Sequence, residues 1–85
     1  MGEKKRQALF DKARNSPYGW QRGDLDDLYT SYGFVIEKGT KHDIAKHPNH
    51  LDLRGTLTRS SHNLHPDYVR HAVDMIRKLQ EREKE

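Results

Sequence analysis

Apolar residues recur at helical spacing most clearly toward the C-terminal end of the chain. From residue 66 onward they occupy one face of a predicted helix and comprise Val69, Ala72, Val73, Ile76 and Leu79. Pro66 suits the first turn of this helix, because its missing N–H has no hydrogen bond to lose there. The pattern predicts an amphipathic helix that covers a sheet, with a mixed-charge end from Arg77 to Glu85 that frays into solvent.

Two shorter helical patterns precede it. Residues 3–15 carry a narrow apolar stripe among basic side chains, and Asn15-Ser16-Pro17 ends this segment because proline disfavours continuation. A second helix is predicted after an N-cap at Asp24, with apolar positions at Leu25, Leu28, Tyr29 and Tyr32. Gly33 closes that helix as a left-handed residue. Trp20, in the loop between the two helices, is expected to fold back into the core.

Between residues 34 and 59 the pattern changes to the two-residue alternation of β-strands. Phe34 and Ile36 share one face of the first strand, and Gly39 lies where the chain reverses, with an expected positive φ. The return strand has one face with Asp43, Ala45 and His47 and another with His42, Ile44 and Lys46. A third strand is predicted over 51–59, where Gly55 marks a bulge or a close backbone approach.

The order of these elements, α-α-β-β-β-α, predicts one α+β domain that comprises residues 1–85. In the economical arrangement, a three-stranded antiparallel sheet has the helices packed on one face. The N-terminal helix, residues 3–15, precedes a core of residues 24–80. The opposite face of the sheet is then left for a partner.

Composition narrows the classes of function. The 85 residues include no cysteine, so neither a disulfide framework nor a thiolate metal site is expected. The 16 basic and 13 acidic residues give a formal net charge of +3, which weakly favours a polyanionic partner. No apolar stretch approaches the roughly 20 residues that span a bilayer, and no signal-peptide pattern follows the first residues. We therefore expect a soluble cytoplasmic protein that does not bind a membrane.

The hairpin turn is the most chemically suggestive segment, because it collects Lys38, Thr40, Lys41 and His42. All six histidines lie between residues 42 and 71, and imidazole exchanges protons near neutral pH. A plainer interpretation is that the turn is a solvated hairpin tip and that His47 caps a backbone group. The pairs His47/His50 and His62/His65 have a spacing seen in metal sites, but nothing completes either set, so no metal is expected.

Several short motifs, together with the element order, resemble the HicA toxin family. The resemblance covers roughly residues 8–80 and is carried by Tyr32-Gly33-Phe34, Gly39-Thr40-Lys41-His42, His47-Pro48 and the closing helix. Asn15-Ser16-Pro17 is similar to an Asn-x-Pro segment of the longer members. The resemblance implies a fold like that of double-stranded-RNA-binding domains (dsRBD-like), mRNA interferase activity without a cofactor, and a HicB-like antitoxin as partner.

The turn departs from the family motif, Gly-Ser-His or Gly-x-His, at one position. Thr40 replaces serine, and His42 lies three positions after Gly39 instead of two. Either the turn contains one additional residue, or Lys41 occupies the catalytic position and the chain is inactive. We take His42 as the counterpart of the family histidine.

On this resemblance, the 2′-hydroxyl of RNA is the nucleophile and His42 is its general base. His47 and His62 are candidates for the acid that protonates the leaving oxygen. RNA phosphates would be held near the Gly39 turn and the third strand by Lys38, Thr40, Lys41, Lys46, Arg54 and Arg59. Two other functions stay open here: a non-catalytic RNA-binding module of the same fold, and a protein–protein adaptor.

Overall fold

Six elements form in the order expected from the sequence. The computed structural model describes residues 3–58 and 64–83. Its elements are α1 (Glu3–Asn15), α2 (Arg22–Ser31), β1 (Val35–Lys38), β2 (Asp43–His47), β3 (His50–Leu57) and α3 (Pro66–Glu83). The predicted α+β class and its α-α-β-β-β-α order are confirmed.

The three strands form one antiparallel sheet in the order β1-β2-β3. Ile36 on β1 lies opposite Ala45 on β2, and Ala45 lies opposite Gly55 on β3. This row faces the helices, since Ala45 and Gly55 are both buried. Burial along β2 alternates as expected, with Asp43, Ala45 and His47 buried and the residues between them more exposed.

The side chain of Tyr29 on α2 packs against the backbone of Gly55 on β3. A Cβ atom added to Gly55 would overlap the Tyr29 hydroxyl oxygen and would lie 2.6 Å from its Cζ. The close approach predicted for Gly55 is therefore correct, whereas the irregular pairing lies elsewhere. Lys46 pairs with Arg54 but the next residue, His47, pairs with His50, so β3 carries the additional residues.

The start of α2 differs from the sequence prediction. The helix begins at Arg22 with Gln21 as its N-cap, three residues before the expected position. Asp24 instead lies within the first turn, where its Oδ2 accepts a hydrogen bond of 3.0 Å from the Gln21 N–H. A carboxylate at this third position satisfies a backbone donor just as an N-cap does, which explains the misplacement. Gly33 has a φ of +88° after the helix, as expected.

The end of α3 is also better held than predicted. The helix continues to Glu83, and the guanidinium of Arg82 donates two hydrogen bonds, of 2.8 and 2.6 Å, to the carboxylate of Asp52. This bidentate pair attaches the last helical turn to the early part of β3. The predicted fraying is therefore wrong for this last turn, because Arg82, one of the charged residues on which the prediction was based, makes a tertiary contact.

One hydrophobic core joins the helices to the inner face of the sheet. Trp20 is only 2% exposed, and its Nε1 donates a 2.9 Å hydrogen bond to the Ser16 carbonyl oxygen. Its own carbonyl accepts a 2.7 Å bond from the Leu64 N–H. Trp20 therefore belongs to the core, as expected. None of the helices in the described part of the chain has the length and apolar character to cross a membrane.

Candidate functional site

The β1–β2 turn presents a group of exposed polar side chains at one end of the sheet. Lys38 and Asp43 lie directly opposite each other, so the chain reverses within four residues. The exposed side chains are Lys38, Thr40, Lys41 and His42. The structure thus brings together four of the residues that the sequence predicts for RNA cleavage, in a solvent-accessible position.

Gly39 shapes this turn for a different reason from the one predicted. Its φ is not positive; among the described glycines, a positive φ is found at Gly19 and Gly33. A Cβ atom at Gly39 would instead overlap the carbonyl oxygen of His42. Glycine is required here because the backbone folds tightly onto itself, and the His42 carbonyl oxygen occupies the space that a Cβ atom would need.

Arg22 anchors the residue that follows His42. Its Nη2 lies 2.7 Å from the Oδ2 of Asp43, a side chain that is buried at the start of β2. Its Nε lies 2.7 Å from Asp26, and its Nη1 donates a 2.9 Å hydrogen bond to the Thr58 carbonyl. Burial opposes the charge of this guanidinium, but the bonds to Asp26 and Asp43 outweigh burial and raise the pKa of Arg22. One side chain therefore connects the start of α2 to the start of β2 and to the residue that follows β3.

Two further predicted RNA-binding residues lie on the outer face of the sheet. Lys46 and Arg54 are cross-strand neighbours, and the Lys46 Nζ lies 3.0 Å from the carboxylate of Glu37. Two exposed aliphatic residues, Val35 and Ile44, share this face. The face therefore combines basic and apolar surface. Arg59 and His62, also predicted for the site, lie outside the described residues.

His47 does not join this group. It lies on the inner face of β2, five residues from His42, a separation of roughly 16 Å along an extended strand. Its Nδ1 accepts a 3.1 Å hydrogen bond from the Asn49 N–H, and its ring packs edge-on against Phe34. Burial, with a smaller effect of the neighbouring His50, lowers the pKa of His47. The backbone-capping interpretation is confirmed, and the placement argues against His47 as the acid partner of His42.

Two histidines that were not proposed for the site have defined contacts near the start of α3. The Nδ1 of His65 accepts a 3.1 Å hydrogen bond from the Asp67 N–H, the contact of a helix N-cap. The Nε2 of His71 lies 2.8 Å from the Arg54 carbonyl oxygen. Together with Thr56 and Tyr68 they border a groove of about 570 Å³. Within residues 3–58 and 64–83, no three His, Asp or Glu side chains are grouped to hold a metal ion.

The chain matches no protein-family model, no curated protein and no solved structure.

Proposed function

We propose that the protein is a HicA-like endoribonuclease that cleaves mRNA in the cytoplasm without a metal ion. The observation that carries the proposal is the exposed His42 imidazole in one short turn with Lys38 and Lys41. The α+β fold and its element order are compatible with the dsRBD-like architecture that the motif resemblance implies. That architecture, and the toxin identity, are parts of the proposal.

The chemistry requires few groups from the protein. A neutral His42 takes the proton from a 2′-hydroxyl as its oxygen attacks the adjacent phosphorus. The bond from phosphorus to the 5′-oxygen breaks, and that oxygen leaves with a proton from water or from a second acid. The products are a 2′,3′-cyclic phosphate and a 5′-hydroxyl. General-base assistance of this kind contributes roughly 10²–10⁴-fold, and nearby ammonium groups offset the charge that develops on the phosphate.

The outer face of the sheet is the proposed binding surface for the RNA backbone and for a HicB-like antitoxin. Lys46 and Arg54 lie close enough to act on one RNA backbone, and their phosphate contacts give affinity without base specificity. Val35 is 49% exposed and Ile44 is 36% exposed on the same face. An antitoxin of the HicB kind that covers this face would bury both aliphatic side chains and exclude RNA.

The deciding experiment follows RNA integrity with purified full-length protein in the presence of a metal chelator. We expect the wild type to produce fragments that end in a 2′,3′-cyclic phosphate, detected by mass spectrometry. His42→Ala should lose this activity by at least about 10²-fold. The matched control is His65→Asn, which removes another exposed imidazole but keeps a side-chain oxygen for the Asp67 N–H.

The other outcomes distinguish the competing functions. Loss of activity in Lys41→Ala with full activity in His42→Ala assigns the catalytic position to residue 41. A folded wild type that retains RNA at low salt but cleaves none is a non-catalytic RNA-binding module, because phosphate contacts alone weaken steeply with salt. A folded wild type that neither cleaves nor retains RNA contradicts the proposal and favours a protein–protein adaptor.

A further inference from the structure

A basic cleft lies between α1 and α3, away from the outer sheet face. Three guanidinium groups border it, from Arg14 on α1 and from Arg70 and Arg77 on α3. Ala13 and Val73, both buried, form part of its apolar wall, and the open cleft has a volume of about 220 Å³. Three arginines from two helices around one concave surface give a local positive field that focuses on an anion.

The acidic residues nearby do not cancel this charge. Arg14 meets Asp11 at 3.6 Å and Arg70 meets Asp67 at 3.3 Å, each three residues away on its own helix. Both pairs are solvent-exposed, and such pairs are weak and exchange readily with other anions. Neither carboxylate is among the residues that border the cleft.

The remaining charges leave a net positive cleft. Asp74, which does border it, lies 3.7 Å from the Nζ of Lys78 and is therefore already shared with a cation. Arg77 makes no ion pair within 4.0 Å with any side chain in the described ranges 4–58 and 64–83. Its guanidinium is the group most available for a ligand.

An exposed aromatic ring stands beside this cleft. Tyr18 is 63% exposed, in contrast to Trp20, which is 2% exposed two residues later. Arg70 donates a 3.0 Å hydrogen bond to the Tyr18 hydroxyl, and its guanidinium carbon lies 5.7 Å from the ring centroid. Arg70 lies over one face of the ring, and because Tyr18 is 63% exposed the rest of the ring is open to a stacking partner. Stacking surfaces beside basic grooves are the usual means by which single-stranded nucleic acid is bound.

The cleft and the β1–β2 turn that carries His42 are linked through the loop that carries Tyr18. This loop continues through Trp20, which bonds to Leu64 just before α3, into Arg22, which bonds to Asp43 at the base of the turn. The whole protein measures only 36 × 27 × 22 Å. One RNA strand of roughly ten nucleotides, within the range that small binding domains occupy, is therefore long enough to contact both places.

We propose that this cleft is a second RNA-contact site, in which Arg14, Arg70 and Arg77 hold one backbone phosphate while a neighbouring base stacks on Tyr18. The ligand class rests on the proposed function, but the site acts in binding and not in the chemical step. The apolar wall and the exposed ring favour a nucleotide over an acidic peptide, which offers charge without a flat ring.

The test measures binding of full-length protein to a single-stranded RNA with methylated 2′-hydroxyls, which cannot be cleaved by the proposed mechanism. Fluorescence anisotropy at several salt concentrations gives Kd and its salt dependence. Arg77→Ala should weaken binding and reduce the slope of log K against log salt by about 1, as for the loss of one phosphate contact. Tyr18→Ala should raise Kd about fivefold or more without changing that slope. Lys5→Ala, an exposed cation elsewhere on α1, is the control and should change neither quantity.

Each result has a separate meaning. If the wild type binds RNA and both cleft variants match Lys5→Ala, the cleft proposal is wrong while the proposed nuclease function is unaffected. If the cleft variants weaken binding but the unmethylated RNA is never cleaved, the cleft stands and the nuclease function fails. If the wild type binds a polyglutamate peptide through Arg77 with no contribution from Tyr18, the cleft belongs to an acidic protein partner and our proposal is overturned.

Discussion

The Nη2 of Arg22 lies 2.7 Å from the Oδ2 of Asp43, and this pair joins the first turn of α2 to the first residue of β2. The Asp43 side chain is 7% exposed and that of Arg22 is 17% exposed. Loss of one partner of such a pair leaves a poorly solvated charge behind. We therefore expect Asp43→Ala to lower the free energy of unfolding by about 2–4 kcal/mol. The loss should not be larger, because Arg22 keeps its bonds to Asp26 and to Thr58.

Urea denaturation measures this loss, and Asp52→Ala is the matched control. Asp52 forms a bidentate pair with Arg82 of similar length, but both side chains are well exposed. Exposed pairs contribute little to stability, so the control should unfold almost as the wild type does. Equal midpoints for the two variants would contradict the assigned role of Arg22 and Asp43.

A second prediction concerns the contact between Gly55 and Tyr29. Gly55→Ala places a methyl group where the Tyr29 hydroxyl lies, in a buried position that cannot expand freely. We expect a loss of about 2–3 kcal/mol, the usual cost of overpacking a core. Adding Tyr29→Phe should recover part of this loss, since the hydroxyl is removed but Cζ stays 2.6 Å from the new Cβ. A double-mutant cycle from urea denaturation measures the coupling, and purely additive effects would contradict the contact.

A third prediction separates catalysis from stability at the turn. Gly39→Ala adds a methyl group that would overlap the His42 carbonyl oxygen, so the turn must open and His42 must move. Because the turn is exposed, the thermal midpoint should fall by only a few degrees. If the protein cleaves RNA as proposed, its rate should fall at least about tenfold, since small displacements of a general base are costly. An unchanged rate would contradict this prediction, because it would show that the close packing of the backbone at Gly39 does not position His42.

A fourth prediction follows from the lowered pKa of His47. Burial disfavours its charged form in the folded state, while the unfolded chain has an ordinary histidine pKa of about 6.5. Between the folded and unfolded pKa values, the unfolded state binds more protons, so the free energy of unfolding rises with pH through this window. The His47 contribution should therefore be fully present above about pH 6.5 and should be lost as pH falls toward the folded pKa.

Urea denaturation at about pH 5 and about pH 7.5 measures that dependence. His47→Asn keeps an acceptor for the Asn49 N–H but cannot titrate, so its stability should vary less across the window. Asp52 does not interfere, because its hydrogen bonds to Arg82 hold its pKa at about 2, and its contribution is lost only at lower pH. A variant with the same pH dependence as the wild type would show that other groups govern this window.

Local patterns in the sequence predicted most of the fold. The bounds of α1 agree with the prediction, and the apolar face of α3 is buried at Val69, Ala72 and Ile76. The alternation in β2 correctly placed His47 on the same face as Asp43 and Ala45. These features are predictable because helical and strand periodicities repeat within a few residues, so neighbouring side chains alone determine which face is buried.

Tertiary packing governs how these elements use their polar residues. Arg22 and Asp43 are 21 positions apart in the chain, and Tyr18 and Arg70 are 52 apart, so no local spacing could pair them. Asp24 accepts a hydrogen bond from the Gln21 N–H as the third residue of α2, and an acidic residue is typical both of this position and of the N-cap, which is why the helix start was misplaced. Local pattern was enough for the order of the elements and for the exposed basic turn around His42. The basic cleft between α1 and α3 could not be predicted from local pattern, because a concave surface between two helices exists only once the helices are packed together.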